Sequence, residues 1–108
     1  MNLSSKRCIS CEGGEPISVE KIKELSSTIN SAWHIIENNK ALVRAYTFSN
    51  FLKALQFVNK VGELAEAEGH HPDIDFGWGR VEITLTTHAV SGLSENDFIV
   101  AAKIDGLN

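Results

Sequence analysis

The chain has 108 residues, 43% of them hydrophobic and 22% charged, which suits one domain with a core of its own and disfavours a disordered or fibrous polypeptide. A net charge of -4 argues against nucleic acid or an anionic membrane as the main partner, because both select clustered lysine and arginine. No apolar run approaches a membrane span and no apolar signal segment follows the polar Met1 to Arg7, so the expectation is a cytoplasmic protein.

Residues 1–17 read as an N-terminal arm. Cys8-Ile9-Ser10-Cys11 has the spacing of half a zinc site or of a redox pair, but no second C-x-x-C completes a four-ligand site; two thiols that pack or face solvent is the favoured reading. Glu12-Gly13-Gly14-Glu15-Pro16 will not hold a helix. From Ser18, a capping residue, the recurrence of Val19, Ile22, Leu25, Ser26 and Ile29 predicts a helix ending near Asn30. Trp33 begins an extended section in which His34–Glu37 and Ala41–Phe48 flank Asn38-Asn39-Lys40, the pattern of a hairpin. His34, apart from the other histidines, reads as structural or exposed.

Ser49 is expected to cap a second helix running from Asn50 to about Glu68, with Phe51, Leu55, Val58 and Gly62 as one stripe and Ala54, Val61 and Ala65 beside it. Gly69 stops this helix; Pro72 prevents its resumption and forces His71 into extended backbone. Beyond Pro72 the chain alternates, placing Ile74, Phe76 and Trp78 on one face, with a turn at Gly79-Arg80. Val81, Ile83, Leu85 and Thr87 then alternate with Glu82, Thr84, Thr86 and His88. Ser94-Glu95-Asn96-Asp97 has the form of a capping box opening a last helix through Phe98, Ala101, Ala102 and Ile104, which gives Asp97 a structural task. The order αββαββα predicts a single-domain α+β sandwich over residues 18–108, three helices on one face of a four-stranded antiparallel sheet. No internal repeat, linker or second domain is visible.

Three of the four histidines lie between Glu66 and His88. Imidazole is the side chain that serves as both acid and base near neutrality. A single extended strand would carry His88 well over about 20 Å from His70. The second hairpin instead brings it back, so His70, His71 and His88 are expected to converge. Two other readings compete: His70 and His71 as C-terminal helix caps, or a zinc site in which the three histidines are joined by Glu66, Asp73 or Asp75. No ligand pair on a regular element fixes a metal geometry.

The spacing from Glu66 through His70-His71-Pro72, Trp78 and His88 to Asp97, with Val81–His88 and Gly92–Glu95 around it, resembles the signature of the pterin-4a-carbinolamine dehydratases. Asn96 stands where some relatives carry arginine, and Gly69 where some carry an acidic residue. The resemblance implies dehydration of 4a-hydroxytetrahydropterin to the quinonoid dihydropterin, recycling the cofactor of aromatic amino acid hydroxylases with neither metal nor organic cofactor. It implies His70, His71 and His88 as the catalytic or substrate-binding set, with Glu66, Trp33, Trp78 and Asp97 in support. Glu66, at i, i+4 from His70, can orient that imidazole, and Trp33, Phe76 or Trp78 can wall a flat pterin. The resemblance further implies a homodimer or homotetramer, and an alternative role as a dimerisation coactivator of a homeodomain transcription factor.

Overall fold

The computed structural model describes residues 3–8 and 15–107. Helix α1 (Val19–Ser26) begins at Ser18, whose side-chain oxygen accepts from the Lys21 N–H at 3.1 Å. It stops at Ser26 rather than near Asn30. Three successive hydroxyls compete for its last carbonyls, Ser26 with Ile22, Ser27 with Glu24 and Thr28 with Leu25.

Strands β1 (His34–Ile36) and β2 (Ala41–Thr47) form the first hairpin, and Glu37, Asn38 and Asn39 all turn through positive φ. Asparagine tolerates that backbone region better than most residues, which suits it to this turn. His34 is exposed on the edge strand.

Helix α2 (Phe51–Glu68) is capped by Asn50, one residue later than expected, whose side-chain Oδ1 accepts from the Lys53 N–H at 2.8 Å. The stripe it buries is Ala54, Phe57, Val61 and Ala65; Phe51, expected to lead the inward stripe, is 46% exposed. Two apolar stripes share the same helical period, so periodicity alone does not choose between them. The choice is made across the sheet, where the Phe57 ring meets Tyr46 at 4.6 Å and Phe48 at 5.3 Å.

Strands β3 (Asp73–Gly77) and β4 (Arg80–Leu85) form the second hairpin, turning at Trp78-Gly79 rather than Gly79-Arg80. Gly79 has φ 71, and a Cβ there would lie 2.9 Å from the Phe48 carbonyl oxygen, so only glycine fits. The sheet order is β1-β2-β4-β3, antiparallel throughout. Register pairs Leu42 with Leu85, Tyr46 with Val81 and Ile74 with Ile83, which gathers the apolar side chains on one face. The last helix, α3 (Glu95–Asp105), joins the same core, with its Phe98, Ile99, Val100, Ala101 and Ile104 all buried. The architecture is the expected α+β fold, three helices and a four-stranded antiparallel sheet.

The described part of the N-terminal arm lies along α3. Leu3 is buried in the core, Lys103 Nζ donates to the Ser4 carbonyl at 2.9 Å, and Lys6 pairs with Glu95 at 2.9 Å. Cys11 falls outside the described residues, and with it the question of a Cys8/Cys11 pair. Among the described residues, no helix is long and apolar enough to cross a membrane.

Candidate active site

The site begins where α2 stops. Gly69 takes the left-handed conformation at φ 67, and the His70 N–H turns back to the Ala65 carbonyl at 3.3 Å. This sharp exit sends His70 and His71 off the helix axis toward the end of β4. There Thr87 and Gly92 pair through two backbone hydrogen bonds, of 2.8 and 3.3 Å, and close a small loop. His88 opens a short 3-10 turn (His88–Val90) inside that loop, so it is presented from a turn and not from the expected strand end. His70, His71 and His88 line one cavity of about 480 Å³, with Thr86, Thr87 and Glu68 among its other walls.

Of the three imidazoles, His70 is the one with a buried partner. Its Nε2 lies 2.6 Å from Asp97 Oδ1, and Asp97 is fully buried. The other carboxylate oxygen accepts from Thr87 Oγ1 at 2.7 Å and from the Ser94 N–H at 2.9 Å. An ionised carboxylate only accepts, so with Asp97 ionised the proton shared in this contact sits on Nε2 of His70. Asp97 therefore performs the capping task read from the sequence and also braces an imidazole. His71 Nε2 meets Glu66 Oε1 at 2.9 Å, but those side chains are 61% and 82% exposed. An exposed pair of this kind is worth little energetically and serves to orient.

The structure thus gives Glu66 to His71, not to His70. The i, i+4 relation fails because the helix ends at Gly69, one residue before His70. Trp33 and Trp78 do not line the cavity. Trp33 is buried with its indole N–H on Asp105 Oδ1 at 2.8 Å, and Trp78 stands 72% exposed beyond the end of β3. Phe76 stacks on Phe51 at 5.7 Å. Thr87 and Glu68 were missed by sequence reasoning. A threonine on the buried face of an alternating strand was a readable signal, since a buried hydroxyl needs a partner. Glu68 gave none, because its partner Cys8 is sixty residues upstream. Among the described residues, no three His, Cys, Asp or Glu side chains are disposed to hold a metal ion.

Residues 15–107 match the family model described as pterin 4 alpha carbinolamine dehydratase. A protein of Rubrobacter xylanophilus named as a candidate pterin-4-alpha-carbinolamine dehydratase is 48% identical over 106 residues, covering 97% of each chain. One of Alkaliphilus metalliredigens with the same name is 49% identical, covering 96% of this chain and 94% of its own. The crystal structure of a transcriptional coactivator/pterin dehydratase from Brucella melitensis superposes with a TM-score of 0.79 at 26% identity, over 86% of this chain and 98% of that one. A pterin dehydratase-like protein identified as a RuBisCO assembly factor in the alpha-carboxysome gives 0.61 at 27% identity, over 70% and 88%. On the match over residues 15–107 and relatives of nearly half identity along almost the whole length, the chain belongs to the pterin 4 alpha carbinolamine dehydratase family.

Proposed function

We propose that the protein dehydrates 4a-hydroxytetrahydropterin to the quinonoid dihydropterin by histidine acid and base catalysis, recycling a tetrahydropterin cofactor. The reaction removes a proton from a ring nitrogen, forms a C=N bond with the electron pair released, and expels the neighbouring hydroxyl as water once it is protonated. It needs one base and one acid on a small ring, which two imidazoles supply. The observation that carries the reading is the His70–Asp97 contact of 2.6 Å at the edge of a cavity shared with two further histidines. A buried carboxylate stabilises the imidazolium that forms when His70 takes the proton, so His70 is the base. His88 and His71 remain for protonating the hydroxyl and for holding the ring, with Glu66 orienting His71.

The test is turnover of purified single variants. His70→Ala, His71→Ala and His88→Ala are each expected to lose about tenfold or more while keeping fold and oligomeric state. Normal turnover in all three would remove the enzyme assignment. Turnover is expected to survive exhaustive chelation, since both proton transfers are assigned to imidazoles; a loss that zinc restores would replace this mechanism with a metal-assisted one.

A binding role on the same fold is the second reading, favoured by the exposure of Phe51, Leu52 and Trp78. A variant lacking all three histidines separates the two, because it would keep association and lose turnover. Self-association as a dimer or tetramer belongs to this proposal, and light scattering of the purified protein tests it.

A further inference from the structure

We infer that the N-terminal segment is a wall of the histidine cavity, latched there by Glu68, and that Cys8 on this wall helps determine how tightly the pterin is held. The inference rests on the dehydratase reading. Cys8 and Glu68 line the same cavity as His70, His71 and His88. Residue 8 lies outside the stretch that matches the family model, residues 15–107.

Glu68 ends α2 with its side chain only 6% exposed. Its Oε1 accepts the Cys8 N–H at 2.9 Å, and its Oε2 faces Arg7 Nε and Lys103 Nζ, each at 3.6 Å. Both oxygens are thus engaged within the protein, which makes Glu68 a positioning residue for the arm and not a ligand for substrate. The Cys8 N–H, ahead of the two cations, holds this carboxyl below the ordinary range and outweighs burial, which acts in the opposite direction. Lys103 meanwhile donates to Ser4 O and Lys6 pairs with Glu95, so the segment is pinned at two points ahead of the latch.

Cys8 itself is half-buried, with Sγ 3.8 Å from the Asn96 carbonyl. Burial, reinforced by the Glu68 carboxylate, pushes its thiol up to about 12. It is therefore a neutral packing surface and not a nucleophile. A small, polarizable sulfur is a favourable neighbour for a flat heteroaromatic ring.

The experiment uses the full chain, with turnover kinetics and binding of 7,8-dihydrobiopterin followed by fluorescence. Cys8→Trp is expected to raise KM and Kd by about tenfold with kcat changed less than about twofold, since it crowds ground state and transition state alike. Cys8→Leu should give a smaller rise in the same direction, and serves where the tryptophan variant fails to fold. Glu68→Gln loosens the latch; KM should rise severalfold while the pH profile of kcat stays in place, because His70 and Asp97 are untouched. Unchanged KM and Kd in a folded Cys8 variant would overturn the wall. A fall in kcat with a displaced pH profile in Glu68→Gln would overturn the latch, assigning Glu68 to the proton-transfer machinery. A wild type that neither binds nor turns over pterin would overturn the dehydratase reading and this inference together, and is seen before any variant is made.

Discussion

Helix α3 carries a carboxylate at each end, Asp97 in its first turn and Asp105 at its last residue, separated by about 12 Å of helix. Each gathers three donors from separate parts of the chain. Asp105 Oδ1 accepts from Arg44 Nη1 at 2.6 Å and Trp33 Nε1 at 2.8 Å, and its Oδ2 from the Asn30 N–H at 2.9 Å. Asp97 has His70, Thr87 and Ser94 in the corresponding places. The geometry is nearly the same, but the donors differ in what they can do. A guanidinium keeps its proton at any physiological pH, whereas an imidazole exchanges one near neutrality. Arg44 is also covered, stacked 4.5 Å over the Tyr46 ring, while His70 opens onto a cavity. One carboxylate is a clamp between helix, loop and sheet; the other braces a group that can work. Asp97 is fully buried and Asp105 partly exposed, but what tells these two fully engaged acids apart is the chemistry of their partners.

The strongest way to break this contrast is to remove the charge at each end in turn. Asp97→Asn keeps the shape and can still accept from Ser94, but it withdraws the negative charge behind His70. Turnover should fall by about a hundredfold or more. Asp105→Ala should instead cost stability, about 3 kcal/mol from leaving a largely buried guanidinium unpaired, with turnover per folded molecule unchanged. Denaturant unfolding and steady-state kinetics on the two variants decide the matter; a Asp105→Ala enzyme that folds but has lost turnover would erase the distinction. Thr87→Val sharpens it further by removing one donor to Asp97 and leaving the charge. About 1 kcal/mol of stability and a severalfold loss of turnover are expected, clearly less than for Asp97→Asn.

The same contrast shows where the sequence could be read. Element identity follows from signals a few residues long, and the helices, both hairpins and the capping box at Ser94–Asp97 were all legible on that basis. The capping half of Asp97 belongs to this class, since its partner is three residues away. Its other half is not, because His70 is 27 residues distant and arrives only through the conformation of Gly69. That single left-handed residue also hands Glu66 to His71. Trp33 shows the converse error: an aromatic read as a ligand wall is spent on Asp105, a residue 72 positions later. Of the inward stripe of α2, Ala54, Val61 and Ala65 were legible beside the expected one, but Phe57 was missed for a related reason, since it is selected by rings on β2 and just beyond it, and nothing within the helix names them.

The smallest predicted effect is absent at neutral pH and appears only on the clamp side of the comparison. Tyr46, the one tyrosine in the chain, lies beneath Arg44 with its phenol pushed up to about 12, first by burial, with Asp105 raising it against the lowering pull of Arg44. A phenol whose folded value exceeds its unfolded value of 10 stabilises the fold fully below pH 10, and that contribution is lost as pH rises through about 12. Ultraviolet absorbance of tyrosinate reads this group alone. In Asp105→Ala the acid that raises Tyr46 is gone and Arg44 is left facing the phenol unopposed, so ionisation should move to lower pH than in the wild type. Asp97→Asn, at the far end of the helix, should leave the curve where it is. A Tyr46 titration that shifted equally in both variants would mean that the two carboxylates are coupled through α3, and clamp and brace could no longer be treated as separate devices.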